Sequence, residues 1–268
     1  LVTSLIQKLP NHEQAIEFLL DRERWKDQKS YGVARNFSNL LSIGSPVIVF
    51  DDDALCEVYE PPYQEPGVAF TEQPREAAFF GDNEEWQNAL SRQDTNPLNG
   101  HMQCLGLTVP EALSRLGIRE LPQESFRSAP RDFARQLTRT SRILITECGS
   151  IGDPGTGVNT WLATLTPRSR NRLLKKNGAF EGALEKRCCW LGRERPLFRP
   201  NANISQVTGF DNRQFLPPYF PFGRGEDRLF GEMVRVIHPD SVTLEYPWAV
   251  PHLPLMARKW TQRENRHL

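Results

Sequence analysis

The chain has 268 residues, and its 33 basic and 33 acidic side chains give a formal net charge of zero. That balance excludes the bulk positive field by which nucleic acid or an anionic membrane is usually held. The five cysteines, Cys56, Cys104, Cys148, Cys188 and Cys189, contain no CxxC pair and no even framework, so structural zinc and disulfide stapling are not expected.

In chain order, Leu1 to Pro10 lacks the basic start and long apolar middle of a secretory signal. Ala15, Ile16, Leu19 and Leu20 recur at helical spacing within Glu13 to Trp25, and a second helix is expected from Val33 to Leu41, closed by Gly44-Ser45-Pro46. Val47-Ile48-Val49-Phe50 is apolar, mostly β-branched, and runs directly into Asp51-Asp52-Asp53. Such a run predicts a buried strand near the centre of a parallel sheet, with acids at its carboxyl end. Ligands of open α/β sheets bind at that end.

Further on, Val68-Ala69-Phe70 predicts a short strand, Pro110 to Leu116 a helix with proline at its start, and Ile143 to Thr146 another strand. The glycine-rich segment from Gly149 to Gly157 follows. It lacks both the lysine of GxxxxGK[ST] and the spacing of GxGxxG, so a plain turn or a loop on the substrate side is expected. Arg168, Arg170, Arg172, Lys175 and Lys176 read as the solvated face of a helix. Pro196 to Pro221 reads as ordered loop with a short strand near Ile204 to Val207. A helix from Glu226 to Val234 and a strand from Val242 to Leu244, ending in Tyr246-Pro247-Trp248, come next, and the polar tail from Arg258 to Leu268 is expected to fray. No apolar run approaches the ~18 residues of a membrane span. The cytoplasm is the expected setting, with attachment at a membrane surface as the second.

Three features can carry chemistry. On an extended strand, alternate residues share a side, so Asp51 and Asp53 are expected to converge, and paired carboxylates suit Mg²⁺ or Mn²⁺. A solvated acid turn is the plainer reading. Glu226 and Asp227 open a helix, where acids either stabilise the dipole or serve as a general base. His252 follows a strand, where it is either a packing residue or, as neutral imidazole, a metal ligand.

In their order and spacing these features resemble the GT-A glycosyltransferases, in particular the inverting family 2 type. Tyr31-Gly32-Val33-Ala34-Arg35-Asn36 leading into Ile48-Val49-Phe50-Asp51-Asp52-Asp53 is similar to that family's ARN…G…I.FLDDD segment. Gly225-Glu226-Asp227, through Tyr246-Pro247 to His252, is similar to its GED…RL…P…H segment. The resemblance implies one domain over residues 1–268, with a Rossmann-like mixed α/β sheet flanked by helices. It implies that Asp51, Asp53 and His252 hold Mn²⁺ or Mg²⁺, that Asp227 is the catalytic base, and that Arg35, Asp52 and Glu226 belong to the donor-binding side.

The family's opening strand and nucleotide-binding turn are not legible upstream of Tyr31, so those strands are expected to be absent or diverged. The length from Ala54 to Gly223 implies a helical insertion at about residues 83–136. The partners implied are a nucleotide-sugar donor and a hydroxyl acceptor on a glycan, lipid or protein, with no nucleic acid. Two other readings stay open. One is a sugar-nucleotide nucleotidyltransferase, which needs a lysine-bearing glycine-rich turn. The other is a non-catalytic binding module of the same fold, using the aromatic stretch Phe210 to Phe222.

Overall fold

The computed structural model describes residues 1–156, 160–175, 185–203, 206–256 and 258. Helices α1 (Val2–Lys8), α2 (Glu13–Leu20) and α3 (Tyr31–Leu41) precede strands β1 (Pro46–Phe50), β2 (Val58–Tyr59), β3 (Ala69–Phe70) and β4 (Glu76–Phe79). Short helices α4 (Asn83–Ala89), α5 (Pro97–Met102), α6 (Val109–Arg115) and α7 (Arg131–Gln136) follow, with β5 (Arg92–Gln93) between the first two. The remainder holds β6 (Ile143–Gly152), α8 (Pro167–Lys175), β7 (Cys189–Gly192), β8 (Leu197–Arg199), β9 (Val207–Asp211), α9 (Glu226–Ile237) and β10 (Val242–His252). No helix among the described residues is long and apolar enough to cross a membrane.

The protein is a mixed α/β structure whose ten described strands join one partly parallel sheet flanked by helices. Its main path runs β1-β9-β6-β10-β2-β5, with β7 beside the carboxyl-terminal part of β6 and β4 next to β7, and with β8 beside β10 and β3 next to β8. β6 and β10 are parallel and buried almost throughout. β9 is antiparallel to both β6 and β1. It follows that β1, β6 and β10 all point the same way, and their carboxyl ends meet at one edge of the sheet.

Three expectations about strands need correction. The run Val47 to Phe50 is a strand, but it lies at one end of the path and pairs antiparallel with β9, so it is neither central nor part of a parallel pair. Its apolar continuity has another cause. Ile48 and Phe50 pack into the core around Phe70, Phe198 and Leu244, while Val47 and Val49 pack into the core around Phe210, Tyr219 and Phe230. Second, Gly149 to Gly152 continue β6 and do not form a turn. A Cβ on Gly149 would stand 2.8 Å from the Leu191 carbonyl oxygen, so glycine here serves close packing. Third, β10 passes through both prolines to His252, with Pro247 inside the register shift between Glu245 and Ala249. An irregular ladder tolerates a missing N–H that a regular one does not. Ile204 lies outside the described residues, and the strand expected near it begins at Val207.

The helices follow local signals more closely. α6 starts on a capping box in which Thr108 and Glu111 satisfy each other's backbone N–H, with Pro110 in the first turn. Phe18 and Trp25 meet edge to face at 5.4 Å, and Trp25 stacks on Phe222 at 4.2 Å, which fastens the amino-terminal helices to the loop before α9. Arg168, Arg170 and Lys175 are exposed as expected for a solvated face, whereas Arg172 is half-buried. Arg168 pairs with Glu65 and Glu194, and Arg172 pairs with Glu194 at 2.6 Å while lying over the Tyr63 ring. Lys176 and most of the tail lie outside the described residues.

The parallel register sets Glu245 beside Glu147, and both side chains are fully buried. Arg193 Nε meets Glu245 at 2.8 Å, Arg75 pairs closely with Glu245 and lies 3.6 Å from Glu147, and Arg199 stands 3.6 Å from Glu245. Burial alone would raise the Glu245 pKa, but Arg193, Arg75 and Arg199 outweigh it and hold the group at about 2. Glu245→Gln would leave the arginines with one buried carboxylate, an imbalance of a kind that costs about 3–5 kcal/mol in urea unfolding at neutral pH. The depressed pKa stabilises the fold above the ordinary carboxyl range. The wild-type advantage over the variant should therefore shrink as pH falls from about 4.5 towards about 2.

Candidate functional site

The common direction of β1, β6 and β10 delivers Asp51, Asp153 and His252 to the same sheet edge. The acidic triplet is itself the crossing segment. After Phe50 the chain turns, Asp51 O accepts the Ala54 N–H at 3.1 Å, and Ala54 then bridges His252 on β10. Leu253 N–H donates to Asp53 O at 2.8 Å and Leu55 N–H to Pro251 O at 2.8 Å, so this turn is sewn onto the end of β10.

Because residues 51–53 form a turn and not strand, the expected alternation does not orient their side chains. Asp51 Oδ1 accepts from Arg35 Nη2 at 3.1 Å. Asp53 has other partners: its Oδ1 is 2.8 Å from His252 Nε2 and its Oδ2 is 2.5 Å from Arg258 Nη2. Asp52 is exposed. Burial raises the Asp51 pKa, Arg35 lowers it, and Asp53 raises it again, so the two acids still act on each other.

His252 is the last residue of β10 and is buried. Its Nδ1 lies 2.6 Å from the Asp153 carbonyl oxygen, which can only accept, so Nδ1–H donates there. The Asp153 carboxylate is clamped by Arg187 through two bonds of 2.6 and 2.9 Å and also accepts the Gly155 N–H. The loop after β6 therefore packs against His252. A Cβ on Gly155 would come 3.4 Å from the imidazole Cε1.

Asp227 reaches the site through a chain of contacts that begins on α3. Asn36 grips the Tyr219 backbone on both sides, accepting its N–H at 2.6 Å and donating to its carbonyl at 3.0 Å. The Tyr219 ring stacks on Phe230 of α9 at 4.0 Å and 5°, a contact worth about 0.5–1.5 kcal/mol beyond its burial. Arg35 precedes Asn36 on α3, and Asp227 lies three residues before Phe230 on α9, so this packing fixes their approach. Gly225, at φ +91°, turns the chain into α9, and Glu226 beside Asp227 is buried. Burial pushes the Asp227 pKa up, Arg35 pulls it down, and Glu226, Asp51 and Glu147 push it up again, to about 6.

The fit of a divalent ion can be judged from these groups. Two donors at about 2.1 Å and at right angles on one ion are ~3 Å apart, close to the Asp53–His252 separation. Nδ1–H on a backbone carbonyl is also the arrangement that metal-ligating histidines adopt. Asp53 and His252 thus have the spacing of adjacent ligands, but at 2.8 Å they are also in direct hydrogen-bond contact with each other. Asp51 stands beside them with its carboxylate turned to Arg35, and among the described residues no three His, Cys, Asp or Glu side chains are grouped to hold an ion. A separate cleft of about 520 Å³, lined by Tyr63, Phe79, Phe80, Leu90 and Leu173, contains none of these acids.

Asp153, Arg187, Arg258 and Tyr219 escaped the sequence reading. Asp153 had a signal, since an acid directly after a strand is the pattern that marked Asp51. The two arginines had none, because their partners are remote in the chain. No family model, no curated protein and no solved structure matches this chain.

The raised pKa of Asp227 has a stability signature. Between its ordinary value and about 6 the folded state holds a proton that the unfolded state has released, so its charge destabilises the fold above that range. Asp227→Asn should raise the thermal midpoint at pH 8, and that gain should vanish at pH 3.5, when calorimetric scans of both proteins are compared.

Proposed function

We propose that this chain is a cation-dependent glycosyltransferase of the GT-A type, moving a sugar from a nucleotide diphosphate to an acceptor hydroxyl with inversion. The observation that carries this reading is the meeting of Arg35, Asp51, Asp53, Asp227 and His252, drawn from three separated stretches of sequence, at the carboxyl ends of parallel-running strands. The same five residues carry the resemblance in the sequence.

In this reading Asp53 and His252 would hold Mn²⁺ or Mg²⁺, with Asp51 as the further acidic ligand that the resemblance implies. The bound ion supplies Lewis-acid stabilisation of the departing diphosphate. Arg35, bonded to Asp51 and acting on Asp227 through its charge, favours the ionised form of both carboxylates. Asp227 accepts the proton of the acceptor hydroxyl as its oxygen bonds to the anomeric carbon and the bond to the diphosphate breaks. One displacement inverts that carbon. A base with a pKa of about 6 combines ionisation at neutral pH with useful basicity. Glu226 and Asp52 contribute to the donor side, Glu226 by its charge beside Asp227 and Asp52 from the exposed turn.

A transfer assay with a panel of nucleotide sugars and MnCl₂, paired with calorimetry of nucleoside diphosphate binding, separates the roles. Asp227→Asn should lower transfer by about 10²–10⁴-fold and leave donor binding within a few-fold of wild type. Asp53→Asn should weaken metal-dependent donor binding itself. Wild-type transfer should rise with pH through about 6 as Asp227 ionises. Equal loss of binding in both variants would show that Asp227 is a donor contact or a helix-start stabiliser. Donor binding with no transfer under any condition would favour the non-catalytic module.

A further inference from the structure

Among the described strands, β1 leaves one side of its backbone open. Asp51 N–H donates to the Gln206 carbonyl at 2.9 Å, in register with the β1–β9 ladder, so Val47 and Val49 are the strand residues whose backbones bond β9. The N–H and C=O groups of Ile48 and Phe50, and the Pro46 C=O, therefore point away from β9, and no described residue bonds them. The other free edges of the sheet differ. β3 and β5 are each 2 residues long, and on β4 the Ala77 N–H is taken by Ser169 Oγ at 2.8 Å.

Exposed edges are ordinarily blunted by charge, a bulge or shortness. β1 has 5 residues with no charge and no bulge, and its one blunting feature is Pro46 at the start. Apolar side chains continue past both ends: Leu41 and Ile43 before the strand are 74% and 69% exposed, and Leu55 after the acidic turn is 44% exposed. The edge is also complementary to itself. In an antiparallel pair of two copies with Ile48 on the twofold axis, each Ile48 N–H donates to the partner's Ile48 C=O, and each Phe50 N–H to the partner's Pro46 C=O. The N–H that proline lacks leaves only the Phe50 C=O at each end of the ladder unmatched. The same register sets Asp51 opposite the partner's Ser45, so no like charges meet, and it holds the two Asp51 residues roughly 20 Å apart. The antiparallel direction also brings the Leu41 and Ile43 end of one copy to the Leu55 end of the other.

We propose that two copies of this chain pair through β1, joining their sheets into one across a twofold axis at Ile48. Main-chain hydrogen bonds hold the centre of the interface, and Leu41, Ile43 and Leu55 bury apolar surface at its two ends. The pairing needs no ligand, no metal and no catalytic role for any residue.

Sedimentation velocity over a concentration series, with amide hydrogen exchange followed by NMR, tests the pairing. Wild type should associate to a dimer. The Ile48 and Phe50 amides should be protected in that dimer and exchange on dilution to monomer, while the Val47 and Val49 amides, bonded to β9, stay protected in both. Ser45→Asp sets a like charge opposite the partner's Asp51 at both ends of the ladder, and Ser45→Lys an opposite one. Cross-strand charge pairs of this kind should shift the dissociation constant by roughly 2–30-fold, weaker for the acid and tighter for the lysine. Opposite signs are the signature, because general loosening of the fold would weaken both. Ile48→Pro removes the central outward donor and leaves the bonds to β9, so it should be a monomer. Circular dichroism checks that it is folded, and the two exposed Ser45 variants carry the test if it is not. The pairing is overturned by a wild type that stays monomeric at every concentration, or by a dimer whose Ile48 and Phe50 amides exchange freely. A folded Ile48→Pro that still dimerises, or Ser45 variants whose association is unchanged or shifted the same way, overturns it too.

Discussion

Glu147 and Glu245 stand side by side on the two central parallel strands, and the sheet depends on how that repulsion is resolved. Neither carboxylate reaches water. Arg75 enters from the start of β4, Arg193 from the end of β7 and Arg199 from β8, so arginines from three strands converge on the acids of β6 and β10. Removing two carboxylates from water is costly, and only close, multiple pairing offsets it. The geometry tolerated by the five charges therefore constrains how β4, β7 and β8 lie against β6 and β10. Glu147 also accepts the Asn203 N–H at 2.7 Å, which ties the approach to β9, the partner of β1, into the same cluster.

The site inherits its shape from that frame. β6 and β10 end together because they are parallel and in register, with His252 opposite Gly152. β1 ends near them because two antiparallel pairings restore the direction. The charge balance then depends on packing at a second layer. Asn36, Tyr219 and Phe230 couple α3 to α9, and this brings Arg35, bonded to Asp51, close enough to Asp227 for its charge to act there. Glu147 acts on Asp227 as well, so the buried charge cluster and the site are electrostatically joined. The basicity of Asp227 is a property of this packing and not of its helix position alone.

Much of the local structure was legible in the sequence. The strand before the acidic triplet, the helix over Tyr31–Leu41, the capped helix at Val109–Arg115 and the helix opening on Glu226 are announced by periodicity, proline and capping residues within a few positions of their ends. Failures came where a local rule met a distant partner. Proline and glycine, read as stops, lie inside β10 and β6, because a bulge accommodates one and a neighbouring backbone requires the other. On α8, Arg172 was read as solvated with its neighbours but is half-buried on Glu194.

Sequence alone determined which residues could carry charge chemistry and that the acids would follow a strand, because residue type and hydrophobic period are local properties. Only the tertiary structure decided which of them meet. Asp51 turned to Arg35, Asp53 met His252 and Arg258, and Asp227 entered an environment that raises its pKa to about 6. Those outcomes rest on strand order and burial, and Coulomb interactions act through space, so residues 200 positions apart can control one another while adjacent ones diverge.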